Sequence, residues 1–174
     1  MSKPNFPIAN SREEFEDGGK GVYTEIIINS PPATVRAKLL DFKNRSKWDP
    51  FVTAVDTFGN LDDISSKPKV QLTMCEKMDG GKSMKLPAKP DVYVNDTKSL
   101  IWGMNMGCLG KAEQGHVFIP LEDGTKTKLV HYEFVAGCLF NLMFNLKLLE
   151  KGYTASNECL KKTIEEEQSQ ADGA

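Results

Sequence analysis

Apolar and polar positions alternate along this chain in two rhythms, and the change of rhythm marks its elements. "VYTEIIIN" (22–29) is rich in β-branched and aromatic residues and predicts a first strand. In "SPPATVRAKLLDF" (30–42) Val35, Leu39 and Leu40 recur at helical spacing. Ser30 is the expected N-cap, with Pro31 at the first helical position, where its missing N–H is not needed. "KNRSKWDPF" allows one more short helical turn before Pro50 stops it. Stretches at 51–59, 68–78, 91–96, 99–106, 115–121 and 126–137 then predict further strands. Turn residues separate several of them, notably Asp79-Gly80-Gly81, Asn95-Asp96 and Asp123-Gly124.

The last element has the other period. From about Cys138 to Glu167 there is no proline, and Leu142, Leu146, Leu149, Tyr153, Leu160 and Ile164 fall on one helical face. Such a helix is about 45 Å long, against about 27 Å for an eight-residue strand, so it must cross a sheet obliquely. Gly152 lies in its middle and costs about 1 kcal/mol relative to alanine, which predicts a bend there. Residues 21–168 form one predicted domain. The polar residues 1–20, with Pro4, Pro7, Gly18 and Gly19, read as a flexible N-terminal extension, and 169–174 as a flexible tail.

Charge narrows the partners. The 22 Lys+Arg residues nearly balance 24 Asp+Glu and do not cluster, which argues against nucleic acid or an anionic membrane surface as the main partner. No stretch reaches the roughly 20 apolar residues of a membrane span, so stable insertion is not expected. The N-terminus lacks a signal-peptide pattern, and Cys75, Cys108, Cys138 and Cys159 lack metal-ligand spacing. The expectation is a cytoplasmic protein with reduced, mostly buried thiols, a monomer or weak homodimer, without cofactor or metal.

Three segments carry a resemblance: "TEIIINSPPATVRAKLLDFKNRSKWDPFV", "SLIWGM", and "GHVFIPLEDGTKTKLVHYEFVAG" followed by "LLEKGYTASNECLKKTIEE". Over roughly residues 22–165 the chain resembles the SRPBCC superfamily, which holds START-like lipid-transfer domains, polyketide cyclases and birch-pollen-allergen-like proteins, and is most similar to its small fungal members. The resemblance implies an α+β helix-grip fold: a curved seven-stranded antiparallel sheet wrapped on a long C-terminal helix, with two short helices after strand 1. It also implies an apolar cavity between sheet and helix. Candidate lining residues are Trp48, Trp102, Met104, Phe118, Leu129, Leu142, Leu146, Leu149 and Tyr153. The alternative is that these side chains fill the interior themselves.

The chain's two histidines, His116 and His131, flank the Asp123-Gly124 turn. Asp-Gly between strand patterns favours a type I′ hairpin, and that register places the two rings directly opposite, with Cβ atoms about 5 Å apart. Phe118, Leu129 and Glu133 share their face. Two such rings on a dry surface stay neutral, and with Glu133 they form a candidate acid/base group for enolisation or dehydration. Metal binding by the same three residues is disfavoured, because one small patch of sheet gives no tetrahedral geometry. The sequence leaves open which face they occupy, since Val117, Ile119, Val130, Tyr132 and Phe134 on the opposite face look equally like a cavity lining.

Other signals are weaker. Gly80-Gly81-Lys82 lacks the spacing of a phosphate-binding loop and reads as a turn. Met106, Cys108 and Leu109 read either as a flexible apolar gate or as a loop buried on the helix. Asn141 and Asn145, one turn apart, face either water or a ligand. The expected function is binding of a hydrophobic, polyketide- or terpenoid-like small molecule, with its cyclisation, dehydration or isomerisation by His116, His131 and Glu133. The alternative is a non-catalytic carrier of a lipid, sterol or other hydrophobic metabolite.

Overall fold

The computed structural model describes residues 4–75, 82–138 and 145–172. In chain order the elements are α1 (Arg12–Gly18), β1 (Lys20–Ile28), α2 (Pro32–Leu40), a 3-10 turn (Phe42–Lys47), β2 (Val52–Phe58), β3 (Lys69–Cys75), β4 (Ser83–Lys85), β5 (Asp91–Asn95), β6 (Ser99–Asn105), β7 (Lys111–Leu121), β8 (Lys126–Ala136) and α3 (Leu146–Asp172). The strands form one sheet in the order β1-β8-β7-β6-β5-β3-β2, and every pairing is antiparallel. The short β4, which alternation did not reveal, pairs with β3 off this path. The helix-grip expectation is therefore met, with α3 closing the curled sheet.

The central hairpin has the expected register. Asp123 (φ 57°, ψ 28°) and Gly124 (φ 85°) adopt the left-handed values that a type I′ turn requires, and Leu121 pairs with Lys126 just beyond it. Two rows of side chains then cross the sheet on one face. Trp102, Gln114, Glu133 and Val22 occupy successive strands, and the next row is Leu100, His116, His131 and Thr24.

This inner face packs against α3. Leu149, Tyr153, Leu160 and Ile164 meet Val22, Trp102, Phe118 and Leu129 in the main core, where each such burial contributes about 1.5–3 kcal/mol. α3 begins at Leu146, where Asn145 caps it: its Oδ1 accepts the Leu148 N–H at 3.1 Å, and residues 139–144 of the expected helix lie outside the described residues. The helix runs through Gly152 without interruption. A Cβ there would lie 2.4 Å from the Phe51 ring, so glycine serves the close approach of that ring.

The opposite face is also dry. Val117, Val130, Tyr132 and Phe134 are buried beneath the N-terminal segment, where Phe15 stacks on Phe134 at 4.6 Å and Phe6 on Phe134 at 5.0 Å. Ser11 caps α1 by accepting the Glu14 N–H. Phe6, Ala9 and Phe15 of the N-terminal segment pack against this face, and α3 extends to Asp172. Ser30 does not cap α2, whose N-cap is Pro31; Ser30 is buried, and its Oγ accepts from Gln168.

Candidate functional site

Between the sheet and the first turns of α3 lies a cavity of about 60 Å³. Its wall is largely apolar, built from Leu72 and Met74 of β3, Leu86 and Pro90 before β5, Trp102 and Met104 of β6, Ala112 of β7 and Leu149 of α3. Gln114, Glu133 and Tyr153 form its polar end. The volume admits a few water molecules, so a larger guest must displace lining side chains. Met74 and Met104 are unbranched and adapt readily to such a change. Wider surface depressions along α3, such as one of about 590 Å³ beside Ile26, are lined mainly by charged residues including Glu158, Lys161, Lys162, Glu165 and Glu166 and are open to solvent. They hold none of the buried polar chemistry found in the small cavity.

Glu133 is the titratable group of that cavity. The Tyr153 hydroxyl donates to its Oε2 at 2.6 Å. Burial pushes the Glu133 carboxyl up to about 7, against the hydrogen bond from Tyr153, which favours the anion, and with a further push from the charge of Glu113. Burial and the adjacent carboxylate raise the Tyr153 phenol well above its ordinary value. Near neutral pH, then, this carboxyl both accepts and gives up a proton readily, whereas the phenol stays protonated.

The histidines lie behind this wall. His116 and His131 are directly paired, with ring centroids 4.1 Å apart, and are 0% and 1% exposed. The inner-face placement therefore holds, and the solvated alternative does not. Neither ring lines the cavity: Trp102, Gln114 and Tyr153 stand between, with Tyr153 stacked on His131 at 3.9 Å. Burial lowers His131 to about 3, against the hydrogen bond to Asn157, and burial also lowers His116 well below its ordinary value, helped by the neighbouring His131. Both rings are neutral at physiological pH.

Hydrogen bonding distinguishes the two. His131 Nδ1 meets Asn157 Oδ1 at 3.1 Å and its Nε2 meets Gln114 Nε2 at 2.8 Å. Neither nitrogen of His116 has a well-formed hydrogen bond among the described residues, and its weak contact with the Leu100 backbone is the smallest influence on its basicity. His116 is therefore packing, and His131 is an anchor between sheet and helix.

Of the other expected lining residues, Trp102, Met104, Leu149 and Tyr153 reach the cavity. Phe118 and Leu129 are packed within the core, and Leu146 is partly buried against Met104's cluster. Trp48 lies under the Arg45 guanidinium, 4.5 Å from the ring centre, away from the cavity. Leu142, Asn141, Gly80 and Gly81 lie outside the described residues. Met106 and Leu109 are exposed rather than buried on the helix, and Cys108 and Cys138 are exposed, so the thiols are not mostly buried. Gln114 was missed because it lies in "KAEQ" (111–114), a polar run that hides the first residues of β7.

Among the described residues no group of three or more His, Cys, Asp or Glu side chains is arranged to hold a metal ion. No helix among them is long and apolar enough to cross a membrane.

The fold has many solved relatives. A START superfamily protein from Mycobacterium smegmatis aligns at TM-score 0.58 and 18% identity, covering 88% of this chain and 99% of its own. A protein from Thermus thermophilus aligns at 0.60 and 15% identity, covering 83% and 97%. The Zhui aromatase/cyclase from a Streptomyces species aligns at 0.60 and 11% identity, covering 84% and 93%. At such identities the likeness establishes the shared fold. No curated protein sequence matches the chain. Residues 21–165 match the model of the family described as polyketide cyclase / dehydrase and lipid transport, and the chain belongs to that family.

Proposed function

We propose that this protein binds a hydrophobic small molecule at the cavity between the sheet and α3 and moves protons on it through Glu133. The observation that carries this reading is a buried carboxyl raised to about 7 on the wall of an otherwise apolar cavity, held by Tyr153 at 2.6 Å. The family's cyclase and dehydrase description and the aromatase/cyclase among its structural relatives support the same chemistry.

The reaction class is cyclisation with dehydration of a polyketide-like carbonyl compound. The Glu133 carboxylate takes a proton from the carbon beside a carbonyl, and the electron pair moves onto the carbonyl oxygen to give an enolate. The enolate carbon bonds to a second carbonyl carbon of the same molecule and closes a ring, leaving an alkoxide that takes the proton back from Glu133. The Glu133 carboxylate then removes a second proton from the carbon beside the ring carbonyl, and the enolate so formed expels the hydroxyl, which takes that proton from Glu133 and leaves as water. The net change is loss of one water, which needs no redox partner. On this reading His116 and His131 do not touch the ligand, because neither is among the residues that line the cavity.

A carrier is the second reading, favoured by the small number of polar groups on the wall, namely Gln114, Glu133 and Tyr153. Mass spectrometry of small molecules retained by the purified protein, repeated after incubation with candidate polyketides, separates the two. On the enzyme reading a compound is converted, and Glu133→Gln keeps affinity within a few-fold while abolishing conversion. A compound retained but never changed, by either protein, overturns the enzyme reading in favour of the carrier.

A further inference from the structure

We infer that Gln114 is the ligand-recognising residue of this cavity, a hydrogen-bond donor held ready for an acceptor oxygen such as a carbonyl. The inference rests on the reading that this cavity binds the ligand. Its basis is a chain of hydrogen bonds whose direction is set at one end. The Trp102 indole N–H can only donate, and it donates to Gln114 Oε1 at 2.9 Å. The amide NH2 of Gln114 must therefore face His131, whose Nε2 lies 2.8 Å away and accepts from it. His131 is neutral, so its proton sits on Nδ1 and is donated to Asn157 Oδ1 at 3.1 Å. The Asn157 NH2 then donates to Thr24 Oγ1 at 3.0 Å, and Thr24 donates to the His131 carbonyl at 3.0 Å. Each link fixes the orientation of the next, and none of the groups is charged.

The consequence for a ligand follows from counting hydrogens. Gln114 Nε2 carries two, and one is used on His131. The other has no partner among the described residues, although the side chain is 3% exposed and lines the cavity. Gln114 Oε1 is occupied by Trp102, so the amide cannot turn to offer an acceptor without breaking that bond. At its position in the cavity Gln114 therefore offers a donor, which suits an oxygen that accepts. Glu133, paired with Gln114 across β7 and β8, stands beside it. Trp102, His131, Asn157 and Thr24 are positioning residues for this one N–H. In the proposed reaction Gln114 would hold the carbonyl oxygen on which enolate charge develops.

Two measurements, each made on the wild type and on one variant, test this. Side-chain 15N NMR should show His131 protonated on Nδ1 with a hydrogen-bonded, unprotonated Nε2, and Trp102→Phe should yield a mixture of tautomers. Titration with the shape-matched probes acetophenone and α-methylstyrene, followed at the Trp102 indole and Gln114 amide signals, should give about fivefold tighter binding of the ketone. Gln114→Leu should bring that ratio to about one. A proton on His131 Nε2, or equal binding of both probes to the wild type, overturns the role of Gln114 and leaves the cavity reading intact. Binding of neither probe overturns both.

Discussion

His116 and His131 lie ring against ring, 4.1 Å between centroids, yet only His131 is hydrogen bonded. Two residues of one type, equally buried, should thus respond to the same substitution with opposite signs. His116→Leu replaces two polar nitrogens that lack a well-formed hydrogen bond with hydrocarbon of similar bulk and should leave stability unchanged or raise it by about 1 kcal/mol. His131→Leu strands the Gln114 and Asn157 amides in a dry interior and should cost about 2–4 kcal/mol. Urea unfolding of the two variants at pH 7.5 checks this, and a loss of similar size in both would refute it.

Acid stability follows from the same burial. The folded-state pKa of each histidine is lowered, so below the unfolded value of 6.5 the unfolded chain takes up protons that the native rings refuse. Their contribution is complete above pH 6.5 and is lost as pH falls, by up to about 1.4 kcal/mol per pH unit for each ring. Glu113 and Glu133 act the other way. Burial raises both from 4.5 to about 7, so their protonated forms favour the fold below pH 4.5 and that support is lost as pH rises toward 7. Between pH 4.5 and 6.5 the two effects oppose each other, and wild-type stability should change little. Glu133→Gln removes one of the opposing groups. Its stability should fall with acid by about 1 kcal/mol per pH unit more steeply than wild type, measured by urea unfolding at pH 4.5, 5.5 and 6.5.

The fold was legible where residue pattern and environment agree. "VYTEIIIN" and the Asp123-Gly124 turn announce β1 and the β7–β8 register, because β-branching and a left-handed turn are local requirements. The site was legible only in part. Outer-face residues Val130, Tyr132 and Phe134 are as apolar as the inner face, because the N-terminal segment covers them, so alternation could not say which face met the helix. That segment looked mobile because α1 is short and polar, with Phe15 as its one buried residue. Gln114 was hidden for the opposite reason: Glu113 and Gln114 are polar yet buried, and only their hydrogen-bond partners, distant in sequence, explain it.

The Arg45–Asp49 pair joins the 3-10 turn to the helix that closes the cavity. Both side chains are buried, Arg45 Nε donates to Asp49 Oδ2 at 2.8 Å, and the other carboxylate oxygen accepts from the Phe51 and Val52 N–H groups and the Ser156 hydroxyl of α3. Asp49→Ala leaves a buried guanidinium unpaired and should cost about 3–5 kcal/mol. Ser156→Ala removes a single link and should cost about 1 kcal/mol. Thermal and urea unfolding of the two variants would show the ordering, and equal losses would contradict the account of Asp49 as the hub.

Gly152 offers a test in which helix propensity and packing disagree. Alanine is favoured over glycine inside a helix by about 1 kcal/mol, so Gly152→Ala should stabilise the protein if only α3 mattered. The added methyl, however, would lie 2.4–2.5 Å from three atoms of the Phe51 ring, far inside contact distance. Phe51 is 2% exposed and packs edge-on to Tyr153 at 6.0 Å, so a displaced ring presses on the side chain that holds Glu133. Overpacking of this kind typically costs about 1–3 kcal/mol, which exceeds the gain in propensity. Gly152→Ala should therefore destabilise and should also shift the Glu133 titration, read by 13C NMR of its carboxyl. Phe51→Leu in the same chain makes room for the methyl and should recover part of the loss, so that the two changes together cost less than the sum of each alone. Additive losses in that double-mutant cycle would show that the ring is not what keeps glycine at this position.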